Sequence, residues 1–105
     1  MQLTVLNSVT LSGIQYGELQ LERTTTGAQT INLSIAGPAN MPLVFVLNNI
    51  LQGAGTGTLT FGAGAVKGIT TFTVNANCYS VYFFRSVHVS TAKYWVLQGS
   101  AVNLT

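Results

Sequence analysis

The sequence predicts an all-β protein: an antiparallel β-sandwich or jelly roll of about eight short strands. Apolar and polar residues alternate over short stretches, as in strands that bury one face. Clusters of Gly, Asn and Ser separate these stretches, as turns do. No stretch shows the 3.6-residue periodicity of a helix of about ten residues. With 105 residues and no linker, we expect one domain over residues 1–105.

The first half of the chain contains four alternating stretches and one continuous apolar stretch. The continuous stretch, residues 43–47, predicts a strand buried on both faces. A short helix is the alternative there, but Val44, Phe45 and Val46 favour strand geometry. The alternating apolar residues are Leu3 and Val5, Val9 and Leu11, Leu19 and Leu21, and Ile31, Leu33 and Ile35.

The second half of the chain predicts the remaining strands. Glycines flank the segment TLTF, which resembles the later segment TTFTV, so we expect these two segments to be neighbouring strands of one sheet. The segments NANCYSVYFFRSV and KYWVLQ follow and alternate in the same way. The final residues, AVNLT, either add a short strand or fray.

The chain is poor in the side chains that enzymes use. It has no aspartate, two glutamates (Glu18 and Glu22), one histidine (His88) and one cysteine (Cys78). A Ser–His–Asp triad is therefore impossible, and a three-ligand zinc site would need His88, Cys78 and a distant glutamate. The glycine-rich middle lacks the Walker order of residues, because Lys67 precedes its glycine. We expect no enzymatic activity, no metal and no cofactor.

Charge is scarce, at 6% of residues, and the net charge is +2. The four basic residues, Arg23, Lys67, Arg85 and Lys93, are scattered, whereas nucleic-acid binding needs a dense basic patch. No stretch has the length of a membrane span, and the N-terminus lacks the pattern of a signal peptide. We therefore expect a small complete protein made in a cytoplasm, without nucleic-acid or membrane partners. Low charge favours association, so we also expect an oligomer.

Six aromatic residues lie close together in the last third of the chain. Since sequence neighbours on a strand point to opposite faces, both faces of these strands carry aromatic rings. One set fills the core, and the other needs a cover, which a subunit interface or a sugar-binding platform would supply. We favour an interface because sugar sites usually surround the stacking ring with carboxylates and amides, and the chain has only two acidic side chains. The interface candidates are Tyr82, Phe84, Tyr94, Trp95 and Arg85; the candidate sugar platforms are Trp95, Tyr94 and Tyr82.

Four segments of the chain resemble small β-sandwich modules from the virions of tailed bacteriophages. They are TTTGAQTINLSIAG, GTGTLTFGAGAVKG, ITTFTVNANCYSVYFF and KYWVLQG. The resemblance covers residues 24–99 and lies in the general composition of the segments and in the order of the strands. Modules of this kind occur in head-decoration proteins, head fibres and tail fibres. They are typically jelly-roll-like homotrimers without enzymatic activity, and some bind host glycans.

The resemblance implies a location in the virion. The chain is too short for a tail fibre, so a decoration protein that binds the major capsid protein, or another virion protein, fits best. The alternative is a carbohydrate- or receptor-binding module with exposed aromatic rings, directed at host surface glycans. Residues 1–16 are either an anchoring arm that adds a strand to a capsid protein's sheet or ordinary strands of the sandwich.

Overall fold

A computed structural model describes residues 2–5, 8–11, 17–23, 27–33, 38–49, 56–62 and 66–105. All regular structure in these ranges is β-strand, as the sequence predicts, and no helix within them is long and apolar enough to cross a membrane. The strands are β1 (Gln2–Val5), β2 (Ser8–Leu11), β3 (Gly17–Arg23), β4 (Gln29–Leu33), β5 (Pro42–Asn48), β6 (Gly57–Gly62), β7 (Val66–Lys67), β8 (Thr71–Val74), β9 (Tyr79–Val89) and β10 (Ala92–Leu104). The predicted extension of β4 to Ile35 lies outside the described residues.

The strands form two sheets. The six-stranded sheet has the order β1-β3-β5-β9-β10-β7, and the four-stranded sheet has the order β2-β4-β6-β8. The segments TLTF and TTFTV are antiparallel neighbours in the second sheet, with Leu59 opposite Phe72, so that prediction is confirmed. Within residues 1–16, β1 pairs with β3 and β2 pairs with β4, each at the edge of its sheet.

The predicted antiparallel arrangement is wrong for the first six strands. The chain alternates between the sheets with each of these strands, so β1, β3 and β5 are mutually parallel, as are β2, β4 and β6. Parallel neighbours need a long crossover connection, and here each crossover contains a strand of the other sheet. The later strands are antiparallel, in the pairs β5–β9, β9–β10 and β6–β8, and β7 is parallel to β10. Both sheets are therefore mixed.

The two sheets bury one common hydrophobic core. Within β5, alternate residues from Leu43 to Leu47 are buried, while Val44 and Val46 on the other face are half-buried. The strand is therefore fully buried on one face, and not on both as predicted. Parallel register stacks similar side chains, as where Leu21 lies beside Leu47. The cluster contains Leu19, Leu21, Ile31, Leu33, Leu43, Phe45, Leu47, Leu59, Phe61, Val66, Val74, Tyr82, Phe84 and Trp95.

Phe61 of the four-stranded sheet lies at the centre of the aromatic packing. Its ring centroid is 5.3 Å from that of Phe45, 5.1 Å from that of Tyr82 and 5.1 Å from that of Phe84, all in edge-to-face geometry. Edge-to-face pairs contribute about 0.5–1.5 kcal/mol each beyond the burial of area. Since these three partners belong to β5 and β9, Phe61 joins the two sheets.

Polar side chains fix two connecting segments, one near each end of β9. The Ser86 hydroxyl donates to the Pro38 carbonyl oxygen and accepts a hydrogen bond from the Met41 N–H at 2.9 Å. At the other end, the buried Asn49 side chain donates to the Asn75 carbonyl oxygen at 2.5 Å. These bonds hold the connection before β5 and the turn before β9 against the sheet, and so set the position of β9.

Asn103 anchors the end of β10. Its side chain accepts from the Asn75 N–H at 2.8 Å and donates to the Thr73 carbonyl oxygen at 3.2 Å. It has a positive φ of 60°, within an irregular stretch of pairing between Ala101 and Leu104. The AVNL of this segment therefore belongs to one 13-residue strand with KYWVLQ, and the described residues form ten strands.

Candidate functional site

The outer face of the six-stranded sheet points away from the four-stranded sheet. Alternate residues of β9 reach it, because the intervening residues point into the core. The residues of β9 on this face are all exposed or half-buried; they are Tyr79, Val81, Phe83, Arg85 and Val87. The part of the chain that the structure describes places no second layer over them.

A continuous apolar strip runs along this face. Phe83 is 43% exposed and Tyr79 is 42% exposed, and Leu104, in register with Tyr79, is 45% exposed. Directly opposite residues of neighbouring strands share a face, so the strands beside β9 extend the strip on both sides. The apolar strip consists of Val44, Val46, Tyr79, Val81, Phe83, Ala101 and Leu104. A contiguous apolar patch of this kind is typical of a surface that binds another molecule.

The charges on the outer face are segregated to the two sides of the strip. On one side, β3 carries Glu18, in register with Val44, and Glu22, in register with Asn48. The Glu18 carboxylate accepts a hydrogen bond from the Gln20 amide at 2.6 Å. This side of the outer face is acidic.

The opposite side of the strip is basic. Lys67 of β7 is exposed, and its ammonium nitrogen lies 4.6 Å from the centre of the Tyr94 ring, a cation–π contact. Arg85 donates to the Asn40 carbonyl oxygen at 2.7 Å and to the Gln98 amide oxygen at 3.3 Å. The cation–π contact holds Lys67 beside β10, on the side of the sheet away from the glutamates. Arg85 lies on β9 next to Phe83, bonded to the segment before β5 on one side and to β10 on the other.

The structure separates the five predicted interface residues. Tyr82 and Trp95 have no exposed surface and Phe84 is 2% exposed, so all three belong to the core. Tyr94 and Arg85 lie half-buried on the outer face. The interface prediction is corrected accordingly. Of the candidate sugar platforms, only Tyr94 reaches the surface.

The sequence prediction missed several residues of the outer face: Tyr79, Phe83, Leu104 and the valines of β5. The alternation of β9 separates the two sets of rings, but serine accompanies the set that is buried. Ser80 and Ser86 are buried because their hydroxyls have partners: Ser80 accepts from the Asn103 N–H at 3.2 Å. A polar residue buried with a satisfied hydrogen bond gives the same pattern in sequence as an exposed one.

The titratable groups do not converge. Among the described residues, no three of the His, Cys, Asp and Glu side chains lie close enough to hold a metal ion. Cys78 precedes β9 and His88 lies near its other end, roughly 30 Å away at the rise of a strand. Glu18 is level with Phe83, about 16 Å along the strands from His88. These residues therefore do not form the zinc site that would need His88, Cys78 and a glutamate.

Among the described residues, the pKa of the Tyr82 hydroxyl is strongly raised. Burial raises the pKa of its hydroxyl from 10.0 to about 12, and the neighbouring Ser80 hydroxyl offsets part of the rise. The ring packs between Phe61 and Phe72 in the core, out of reach of solvent. A neutral tyrosine in this position contributes to packing.

The chain matches no protein-family model and no curated protein. The arrangement on the outer face is therefore the main structural ground for a function. An apolar strip with acidic residues on one side and basic residues on the other suits binding to a protein surface.

Proposed function

We propose that the chain is a non-enzymatic structural protein that acts by assembly, as a decoration protein of a tailed-phage capsid. It forms a homo-oligomer, with a trimer favoured, and binds the capsid shell. The apolar strip carries this proposal, because two exposed rings and an exposed leucine on one sheet face leave a surface for another protein to cover. In this proposal the two sheets form a β-sandwich of the kind found in small virion proteins.

The energetics of the strip favour a cover. Phe83 and Tyr79 each keep a little under half of their surface exposed, so complete burial of either ring would contribute about 1 kcal/mol. The half-buried valines beside them add smaller amounts. A protein that binds only the assembled state stabilises that state by mass action, which is how a decoration protein reinforces a shell.

The scarcity of charge supports the same proposal. With 6% charged residues, copies of the chain repel one another weakly. On the outer surface of the four-stranded sheet, β6 and β8 carry neutral threonines, with Thr58 opposite Thr73 and Thr60 opposite Thr71. This neutral surface, unlike the outer face of the six-stranded sheet, gives an oligomer a further surface with which to contact a shell.

The alternative function is carbohydrate or receptor binding. Tyr79 favours it, since this exposed ring lies in register with the Asn48 amide on the neighbouring strand. An aromatic ring beside an amide offers both the stacking and the hydrogen bonding that a sugar uses. A glycan array probed with the wild type and with Tyr79→Ala tests this alternative, which requires binding that the substitution abolishes.

Light scattering combined with a Phe83→Thr substitution tests the assembly function. Threonine keeps strand propensity and removes the exposed ring, so we expect the variant to dissociate at concentrations where the wild type is oligomeric. The matched control is Ile69→Thr, which removes an apolar side chain that is 69% exposed and lies outside the strip. Equal oligomerisation of both variants and the wild type would refute the role of the strip.

A co-sedimentation assay with phage capsids that lack their decoration protein tests the virion role. Saturable binding of the wild-type chain supports it. A chain that oligomerises but binds none of the capsids tried would leave assembly standing and contradict the decoration role.

A further inference from the structure

We infer that the strip is covered by further copies of the same chain, in a ring whose rotation axis runs along the strands, with Glu18 of one copy beside Lys67 of the next. This inference rests on the proposed assembly function and names the partner of the same surface. Shape, charge and register on the outer face support it.

The shape of the molecule gives the direction of the strip. The chain measures 43 × 23 × 22 Å along its principal axes. A strand of 13 residues such as β10 has a length of about 43 Å. The long axis therefore follows the strands, and so does the apolar strip, which runs along β9 from Phe83 to Tyr79. Parallel packing of copies along this axis buries the strip over its whole length.

The segregation of charge selects the orientation of the copies. The chain has four basic and two acidic residues, and four of these six lie on the outer face: Glu18 and Glu22 on β3, Arg85 in the middle on β9, and Lys67 on β7 at the opposite edge. In a ring whose rotation axis is parallel to the strands, a given residue lies at the same height along the axis in every copy. The rotation brings the β3 side of one copy against the β7 side of its neighbour, so acid meets base. A face-to-face pair with its axis across the strands would instead place β3 over β3, and acid against acid.

The register places the proposed partners at compatible levels. Glu18 is level with Val44 and Phe83. Lys67 is in register with Val96, which lies opposite Arg85, two residues from Phe83 on β9. The offset is therefore about 7 Å along the strands, a distance that the two long side chains span together. β1, the edge strand outside β3, carries no charged residue that would interfere.

A charge-swap experiment tests this geometry. Glu18→Lys and Lys67→Glu each place like charges at the proposed contact, and we expect each to weaken self-association about tenfold at an ionic strength of about 50 mM. The double variant Glu18→Lys/Lys67→Glu restores opposite charges and should associate nearly as well as the wild type. Association is measured by sedimentation equilibrium, and circular dichroism verifies that each variant is folded.

Lys93→Glu is the matched control, because it makes the same change of charge on the strand next to β7. Lys93 lies two residues from the buried Trp95, on the opposite face of β10 from Tyr94. We expect this variant to associate like the wild type. If the double variant is as weak as the two single effects combined predict, or if the control weakens equally, the proposed contact is refuted.

The outcomes separate this inference from the proposed function. Dissociation by Phe83→Thr without coupling between the charges would refute the ring geometry and leave assembly through the strip intact. A wild-type chain that stays monomeric would refute both. Strong coupling together with dissociation by Phe83→Thr would support both.

Discussion

Replacing Tyr82 with phenylalanine removes one oxygen atom from the core and leaves the ring in place. Tyr82 has no exposed surface, and its ring centroid lies 4.8 Å from that of Phe72 and 5.1 Å from that of Phe61. Its hydroxyl oxygen is buried without a hydrogen-bond partner at bonding geometry among the described residues. An unsatisfied buried polar group costs about 1–3 kcal/mol. We therefore expect Tyr82→Phe to increase the free energy of unfolding by about 1 kcal/mol at pH 7.

The effect of this substitution depends on pH in a defined direction. Burial raises the pKa of Tyr82 from 10.0 in the unfolded chain to about 12 in the folded chain. Below pH 10 the hydroxyl is protonated in both states, so its titration takes nothing from the stability of the folded chain. As the pH rises from 10 to 12, the unfolded chain loses the proton first, and the folded state loses stability. Two pKa units correspond to about 2–3 kcal/mol of folding free energy. The wild type loses this stability as the pH rises, whereas the phenylalanine variant has no hydroxyl at this position and does not.

Urea unfolding followed by Trp95 fluorescence measures both effects. The two proteins are compared at pH 7, 9 and 11 and at one fixed concentration, because self-association contributes to apparent stability. We expect the difference between variant and wild type to be constant from pH 7 to 9 and to grow at pH 11. A variant that is less stable at pH 7 by more than 1 kcal/mol would show that the hydroxyl has a partner. A difference that stays constant to pH 11 would refute the raised pKa.

Further predictions concern the core, a buried serine and the glycines. Phe61→Ala should destabilise the fold by about 3–5 kcal/mol, and a urea titration showing a loss below 2 kcal/mol would contradict its central place between the sheets. Ser86→Ala leaves the Met41 N–H without its acceptor and should cost about 1–3 kcal/mol by thermal unfolding, so an unchanged midpoint would count against that hydrogen bond. Gly68→Ala should destabilise more than Gly17→Ala, although both glycines have positive φ. A new Cβ at Gly68 would lie 3.2 Å from a side-chain atom of β10, whereas one at Gly17 would meet no atom of the described residues within 4 Å. Equal losses in the two alanine variants would refute that steric argument.

Local features of this fold could be predicted from the sequence, because they depend on residues close together in the chain. Alternation with a period of two identifies a strand wherever one face is buried, as in β4, where Ile31 and Leu33 are buried and Asn32 is half-buried. The likeness of TLTF and TTFTV indicated a pair of neighbouring strands, and the structure places them side by side.

The pairing of the first six strands could not be predicted in the same way. A half-buried strand has the same alternation whether its neighbour is parallel or antiparallel. The difference lies in where the connections lead, and here they cross between the sheets, so that β3 pairs with β5 although β4 intervenes. Non-local pairing of this kind leaves no local signal.

The sequence predicted the candidate site only in part. The two sets of rings on β9 showed that both faces were apolar, but their assignment to core and surface depended on Ser80 and Ser86. These serines are buried and hydrogen-bonded to backbone groups that come from elsewhere in the chain, Met41 and Asn103. Since those partners become neighbours only in the folded structure, the sequence placed Tyr82 and Phe84 at the surface instead of Tyr79 and Phe83.

The mass of the wild-type chain in solution, measured by multi-angle light scattering, tests assembly through the outer face most directly. We expect an oligomer, with a trimer of about 33 kDa from a chain mass of 11.1 kDa, and its conversion to monomer by Phe83→Thr but not by Ile69→Thr. A mass of 11.1 kDa at the highest concentration that stays in solution would contradict assembly through the outer face.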